Sequence, residues 1–248
     1  MSTLNTRKIK HDSSAVDNIT LTSNGRVGIA TNSPTQRFVV YDPTGGSDNI
    51  VMCETSSGHK IFMQADAGGQ KGVLGTLSNH PLAFVSNNIE RIRIDTSGRV
   101  TMPYQPAFHA FPTSSFSSAV NGTNSSPFTG SNFSSTEFNV GSNFNTSNAR
   151  FTAPVTGIYK FNFNMYAIND PGVVCEAKLF VNGQERRRFY NRAGDNINNE
   201  STAVSGMFYL SAGDYVQPGW FTTSAFDVGG NQAANEVHYT YFEGYLVS

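Results

Sequence analysis

The chain of 248 residues has few charges, few cysteines and no long apolar run. Charged residues make up only 14% of it and the formal net charge is −1, whereas ordinary soluble domains carry roughly 25% charged residues. Such a balance argues against a nucleic-acid binder held by phosphate contacts and against a polybasic membrane anchor. No apolar segment approaches the roughly 20 residues of a spanning helix. The first residues lack the apolar stretch of a secretory signal, so we expect no membrane insertion and no secretion by a cleaved signal.

Cysteine is also scarce, since Cys53 and Cys175 are the only two. They are too few and too far apart for a disulfide framework or a zinc knuckle, and we expect two free thiols.

Aromatic residues are abundant, with 19 Phe, 10 Tyr and 1 Trp. Disordered chains are poor in these residues, so the chain is expected to fold. Helical periodicity is rare, and Gly, Pro, Asn-Gly and Ser-Gly recur at short intervals, which is typical of strands joined by tight turns. The sequence therefore predicts an all-β protein.

A short motif occurs twice in the first hundred residues. The copies are Ile19-Thr-Leu21-Thr-Ser-Asn-Gly25-Arg26-Val27 and Ile92-Arg-Ile94-Asp-Thr-Ser-Gly98-Arg99-Val100. Each predicts a strand, a glycine turn and the start of a second strand. Short apolar strands separated by glycine-rich turns lie between the copies, and strands this short give a thin core unless several chains share their edges.

The motif Pro103-Tyr-Gln-Pro-Ala-Phe108 predicts a boundary, because two prolines stiffen the chain and end strand pairing. We divide the chain into an attachment segment at 1–18, a β shaft at 19–103 and a head at 104–248, with the head's core starting at about 138. In Tyr159-Lys-Phe161-Asn-Phe163-Asn-Met165 apolar and polar residues alternate, which predicts a strand with one buried face.

Motifs over the last hundred residues follow the order of complement C1q and tumour-necrosis-factor domains. They are Phe151-Thr-Ala-Pro154-Val-Thr-Gly157-Ile-Tyr159-Lys-Phe161, Leu179…Asn182-Gly183-Gln184, Ser205-Gly206-Met-Phe-Tyr-Leu210…Gly213-Asp214-Tyr-Val216 and Tyr241-Phe242-Glu-Gly244-Tyr-Leu246. The head resembles this family, which implies a ten-stranded jelly roll of two sheets that assembles as a homotrimer. The resemblance implies that trimer core and interface contacts come from Tyr159, Phe161, Phe163, Tyr241, Phe242, Gly244 and Leu246.

The first hundred residues resemble modules of bacteriophage tail fibres, particularly those of cyanobacterial phages. The residues that carry the resemblance are Gly25-Arg-Val-Gly28-Ile-Ala-Thr-Asn-Ser-Pro34 and Asn79-His-Pro81-Leu82…Asn88-Ile-Glu90-Arg91-Ile-Arg93-Ile94-Asp95-Thr-Ser-Gly98. Such modules form intertwined trimeric β shafts. Both resemblances therefore imply the same threefold symmetry.

Motifs for catalysis and metal binding are missing. No nucleophile elbow, phosphate loop or His-Glu-x-x-His occurs, and the five His have no metal-ligand spacing. We expect no enzyme, no cofactor and no metal. Asp195, Asp214 and Asp227 are the candidates for Ca²⁺ if one is bound, although Asp214 is better explained as a turn residue after Gly213.

Two groups of residues are candidates for receptor binding. The first is the basic run on Arg186, Arg187, Arg188, Tyr190 and Arg192, which offers bidentate contacts to sugars or phosphates. Its alternative role is ion pairing between subunits with Glu185, Asp195 and Glu200. The second group is Trp220 and Phe221, which offer stacking faces to a sugar ring or else belong to the core or an interface.

These observations predict a homotrimeric phage tail fibre on the virion. Its N-terminus is expected to contact tail or baseplate proteins, and its head a host surface glycan or protein. Three weak sites on one rigid head would bind by avidity. The alternative is a structural module that decorates the virion or registers three shafts without a receptor of its own; a cellular lectin or cytokine-like ligand is a third possibility.

Overall fold

A computed structural model of the chain describes residues 8–9, 19–40, 51–66, 69–118, 126–168, 174–192, 199–222, 226–232 and 237–248. The chain divides into two compact units, Met1–Met102 and Pro103–Ser248. Regular structure in the described ranges is strand apart from a single turn of 3-10 helix at Gly130–Asn132, so the all-β prediction is confirmed. No helix in these ranges is long and apolar enough to span a membrane. The segment predicted to attach the fibre lies outside the described residues except for Lys8–Ile9.

The first unit consists of short strands in three small sheets. Its strands are β1 (Lys8–Ile9), β2 (Ile19–Leu21), β3 (Val27–Ile29), β4 (Phe38–Val40), β5 (Val51–Glu54), β6 (Lys60–Asp66), β7 (Lys71–Thr76), β8 (Leu82–Ser86), β9 (Ile89–Ile94) and β10 (Val100–Thr101). The sheets have the orders β1-β2-β3-β4, β5-β6-β7 and β10-β9-β8. Pairing is antiparallel except between β3 and β4.

The two copies of the repeated motif form equivalent hairpins, β2–β3 and β9–β10. Gly25 and Gly98 have φ of +77° and +80°, the left-handed region that glycine accepts without strain. In the first turn the backbone N–H of Thr22 donates to the carbonyl of Arg26 at 2.9 Å, and in the second Asp95 donates to Arg99 at 3.0 Å. The repeated sequence therefore encodes one turn geometry used twice.

Apolar side chains of the first unit are largely exposed in the single chain. Exposed fractions reach 62% at Phe38, 59% at Met63 and 60% at Val85, whereas Phe62 is buried at 8%. A sheet with such apolar faces is rarely left in water. Within the described residues of this unit, no internal core covers these side chains.

The second unit contains longer strands. They are β11 (Ala107–Phe111), β12 (Phe116–Ser118), β13 (Ser126–Pro127), β14 (Ser135–Val140), β15 (Phe144–Asn145), β16 (Arg150–Thr152), β17 (Gly157–Ile168), β18 (Val174–Val181), β19 (Gln184–Arg192), β20 (Asn199–Leu210), β21 (Tyr215–Thr222), β22 (Phe226–Val228), β23 (Asn231–Gln232), β24 (Val237–His238) and β25 (Tyr241–Leu246).

These strands build a sandwich of a seven-stranded and a six-stranded sheet. The seven-stranded sheet runs β12-β22-β17-β25-β11-β14, with β20 on the other side of β17. The six-stranded sheet runs β15-β16-β21-β18-β19, with β13 beside β21. The described ranges thus hold more strands than the ten that the resemblance implies, because several are segments of two or three residues.

The core between the sheets is dominated by aromatic rings. Alternation along β17 buries Tyr159, Phe161 and Phe163, as the sequence pattern predicts. The Tyr159 hydroxyl donates to the Val155 carbonyl at 2.8 Å, which satisfies its polar end. Gly244 is required opposite Phe161, since a Cβ there would lie 2.5 Å from the Phe161 ring. Aromatic stacking at this density gives the head a core that each protomer can bury by itself.

Candidate functional site

The outward side of the seven-stranded sheet carries large apolar side chains. Neighbouring strands place them on one surface, because opposite residues in a ladder point the same way. The exposed fractions are 73% at Tyr209, 52% at Met207, 50% at Tyr245 and 46% at Phe138. We call this surface the aromatic face; it comprises Phe138, Ile158, Met207, Tyr209, Tyr241 and Tyr245. Large apolar side chains exposed together on one sheet surface mark a candidate interaction site, here with Lys160 and Glu243 lying between them.

One edge strand of the seven-stranded sheet, β20, carries part of the aromatic face. Within the described residues, β20 hydrogen-bonds only to β17, so its second side is an open edge. Tyr209 and Met207 lie on this strand, opposite Ile158 and Lys160. An open edge next to exposed apolar side chains is a surface that a second chain can cover.

Residues expected at the trimer core and interface separate into two groups. Tyr159, Phe161, Phe163, Phe242 and Gly244 lie buried inside one protomer's sandwich, and Leu246 packs against that core. Tyr241 belongs to the aromatic face, because alternation along β25 turns it away from Phe242. Of the predicted set, Tyr241 alone lies on the outward surface of the sheet.

Charged side chains lie on the outward side of the six-stranded sheet. Lys178 Nζ lies 2.8 Å from Glu176 Oε2 and 2.9 Å from Glu185 Oε2, and the Lys178 side chain is only 3% exposed. Arg188 Nε lies 3.2 Å from Glu185 Oε1. We call Glu176, Lys178, Glu185 and Arg188 the lysine–carboxylate cluster. Its ion pairs form within one chain, whereas the sequence left pairing between subunits open.

The basic run of β19 does not form one patch. Arg188 and Tyr190 lie opposite Lys178 and Glu176, on the outward side of the sheet. Arg187 lies opposite Leu179 and directs its guanidinium over the Phe208 ring at 5.4 Å, towards the gap between the sheets. Alternation along β19 and a register shift between Leu179 and Phe180 cause this division.

Other members of the run have different placements. Arg186 is exposed and lies at the register shift between β18 and β19. Arg192 lies opposite Val174 at the end of β19. Of the acidic residues proposed to pair with the run between subunits, Asp195 lies outside the described residues, and Glu200 is described only in its backbone.

Trp220 and Phe221 lie on opposite sides of β21. Trp220 is 5% exposed and belongs to the core cluster, so its ring offers no face to a ligand in the protomer. Its place opposite Ala177 explains this, since the small side chain leaves room for the indole. Phe221 points outward, and Lys178 Nζ lies 5.2 Å from its ring centre. Trp220 is therefore a core residue and not the receptor contact that the sequence suggested.

A cluster that the sequence did not predict lies beside the aromatic face. His109 on β11 is opposite Phe138, and Ala110 is opposite Thr136, so Glu137 is the extra residue of a β-bulge. The bulge turns Glu137 towards His109, with 3.4 Å between Glu137 Oε2 and His109 Nδ1.

His238 on β24 is the third member. Its ring stacks on Phe111 with 3.6 Å between centroids and lies 5.1 Å from the His109 ring. One ligand atom of each residue lies within 4.8 Å of the others. We call His109, Glu137 and His238 the histidine cluster.

The His109 imidazole is almost enclosed. Its side chain is 12% exposed, and burial lowers its pKa, a shift that the Glu243 and Glu137 carboxylates oppose and His238 reinforces. Among the described residues Nδ1 of His109 has no hydrogen-bond partner, because the contact to Glu137 lacks hydrogen-bond geometry. A buried polar atom without a partner is costly and calls for an explanation.

A second histidine pair lies in the first unit. The rings of His59 and His80 are 3.8 Å apart in an edge-to-face arrangement. They line a cavity of about 330 Å³ together with Cys53 and Lys60. This pair does not belong to a group of three close ligand atoms within the described residues.

Two of the three candidate Ca²⁺ ligands, Asp214 and Asp227, are used in hydrogen bonds, and Asp195 lies outside the described residues. Asp214 accepts from Asn182 Nδ2 and from the Ser211 backbone, both at 2.8 Å, and Asp227 accepts from Ser117 Oγ at 2.6 Å. Neither joins a group of three close ligand atoms in the described part of the chain. Asp214 closes a turn, as the sequence favoured.

Comparison with known proteins gives one family match. The model of the C1q domain family matches residues 113–247 of the chain. Curated proteins give no match.

Solved structures similar to the chain include three single domains. The globular domain of zebrafish complement 1qA protein is 17% identical, with a TM-score of 0.42, and the alignment covers 58% of this chain and 98% of that one. Murine APRIL is 14% identical, with a TM-score of 0.42 and coverage of 58% and 99%. The Eiger TNF of S. frugiperda is 10% identical, with a TM-score of 0.44 and coverage of 58% and 93%.

Proposed function

This chain belongs to the C1q-domain family, and we propose that it forms a homotrimer through the aromatic face and serves as the host-attachment fibre of a bacteriophage. C1q domains commonly form trimers and bind ligands. The observation that carries the trimer is the exposure of Met207, Tyr209 and Tyr245 on one sheet surface. Covering these side chains removes apolar surface from water. This transfer is favourable by roughly 25 cal/mol for each Å² of apolar surface buried.

The first unit supports the same symmetry. Phe38, Met63 and Val85 are exposed in a single chain, and three chains wound together would cover them. The sequence resemblance of residues 25–34 and 79–98 to phage tail-fibre modules supports the assignment of this unit as a shaft. From this resemblance we infer that the protein is located on the virion and that its N-terminus contacts tail or baseplate proteins.

Receptor binding is assigned to the outward side of the six-stranded sheet. The aromatic face is used by the trimer, which leaves this side to solvent. There Arg188 is held at 3.2 Å from Glu185, and the Tyr190 ring is 56% exposed. A guanidinium fixed by a carboxylate beside an open ring suits a sugar with hydroxyl and ring faces. Three copies on one head would add avidity to a weak single contact.

The second candidate function is a trimerisation clamp without a receptor. The dense aromatic core of the head and the thin core of the first unit favour it, because a stable head would hold three shafts in register. Deletion of residues 104–248 from the virion protein separates the two functions. We expect shafts to remain on the particle while adsorption to host cells is lost. Shafts missing from the particle would instead identify the head as a clamp.

A further inference from the structure

We propose that the histidine cluster binds a zinc ion through one nitrogen of His109, one nitrogen of His238 and a carboxylate oxygen of Glu137. Two imidazoles and one carboxylate form a donor set that zinc uses in proteins. Calcium prefers oxygen ligands alone, so the same cluster does not suit it. The site differs in place and chemistry from the aspartates that the sequence offered for Ca²⁺.

Three separate strands converge at the histidine cluster. β11, β14 and β24 each supply one residue, and their ligand atoms lie within 4.8 Å of one another. Bonds of about 2.0–2.1 Å in tetrahedral geometry place ligand atoms roughly 3.3 Å apart. The ligand atoms therefore have to come closer by up to about 1.5 Å, which requires side-chain rotation. Glu137 is the member best able to move, since its side chain is 65% exposed.

An imidazole nitrogen of His109 also points to a bound ion. Its Nδ1 is buried and lacks a hydrogen-bond partner among the described residues, although a carboxylate oxygen lies 3.4 Å away. A metal ion between the two atoms would satisfy both. The β-bulge supports this explanation, because it is what places Glu137 beside His109, and bulges often redirect side chains next to functional sites.

Both rings are held before a metal arrives. His109 is enclosed on β11, and the His238 ring stacks on Phe111 at 3.6 Å with 14° between the planes. Fixed ligands lose little freedom on binding, which favours affinity. Three protein ligands leave a fourth position for water or for another donor. The proposal does not rest on the trimer, because one chain supplies all three ligands.

Zinc titration of the full-length chain tests the proposal. The protein is purified without a histidine tag, stripped with a chelator and titrated with Zn²⁺ in competition with a chromophoric chelator. Cobalt substitution provides a second readout, since four-coordinate Co²⁺ absorbs strongly in the visible range. We expect one Zn²⁺ per chain. A ratio of one ion per three chains would overturn the assignment of all ligands to one protomer.

Variants locate the site. His238→Gln and Glu137→Gln each remove one ligand near the surface, and His109→Gln removes the buried one. We expect each variant to weaken zinc binding by at least about tenfold. Loss of a group that only supports a metal ligand already has an effect of this size, and these variants remove the ligands themselves. Because His238 and Glu137 are not in the core, their variants keep the test valid if His109→Gln does not fold.

One control distinguishes this site from adventitious binding. The double variant His59→Gln/His80→Gln removes the other histidine pair and should bind normally. Loss of binding in that double variant, equal binding by all variants, or no binding at micromolar Zn²⁺ would each overturn the proposal.

Discussion

The ammonium group of Lys178 lies 2.8 Å from the carboxylate of Glu176, although these side chains are only 3% and 10% exposed. Lys178 also reaches Glu185 at 2.9 Å, and Phe221 lies beside its charge. A buried charge is tolerated only when its partners are close. The contact of Lys178 with Glu185 therefore ties β18 to β19 on the outward side of the six-stranded sheet.

We expect Lys178→Met to lower the free energy of unfolding by about 3 kcal/mol, because it leaves the buried Glu176 carboxylate with only the more distant Arg188 guanidinium, at 3.8 Å. Chemical denaturation measures the effect. The double variant Lys178→Met/Glu176→Leu removes both charges and should recover most of the loss. A single variant as stable as the parent, or a double variant no better than the single one, would contradict this account of the cluster.

Acid should weaken the turn that Asp214 closes. The hydrogen bond from Asn182, together with that from the Ser211 backbone, lowers the pKa of the Asp214 carboxyl below its ordinary value. A carboxyl with a lowered folded pKa adds stability above its unfolded pKa, and this stability is lost as the pH falls through the folded value.

Asp214→Asn should therefore have a lower Tm than the parent at pH 7, and the gap should narrow steadily in acid. Thermal unfolding across a pH series measures both curves. A gap that stays constant down to low pH would show that the charge of Asp214 does not stabilise the turn.

The head's strands could be predicted from sequence because its patterns are local. Alternation from Tyr159 to Met165 fixes the buried face of β17, and Asn182-Gly183 forms the turn between β18 and β19 with φ of +51° and +76°. Both features depend on residues that are neighbours in the chain.

The candidate sites depended on register, which the sequence does not contain. Trp220 is buried because it lies opposite Ala177, and Arg187 and Arg188 take different sides because β19 alternates. The histidine cluster was missed for the same reason: a bulge opposite His109 brings Glu137 into position, and no spacing rule signals such a bulge.

Receptor contact at the outward side of the six-stranded sheet predicts a specific loss of adsorption. The double variant Arg188→Ala/Tyr190→Ala removes the exposed guanidinium and ring, and we expect binding to host cells to fall by about tenfold while the solution mass stays unchanged.

A matched control is Arg99→Ala/Tyr104→Ala. Arg99 is also paired with a carboxylate, at 2.7 Å from Asp95, and Tyr104 is 57% exposed, but neither belongs to this sheet. Equal adsorption by both double variants would remove Arg188 and Tyr190 from the receptor site.

The solution mass of the full-length chain tests most directly whether the aromatic face holds a homotrimer together. Light scattering on a dilution series should give a mass near three times 26.9 kDa. Tyr209→Glu places a charge on a side chain that is 73% exposed in the protomer, and should lower the mass towards that of one chain. Val155→Glu, at an exposed position outside the aromatic face, should keep the trimer. A parent chain that stays monomeric at every concentration would contradict the account.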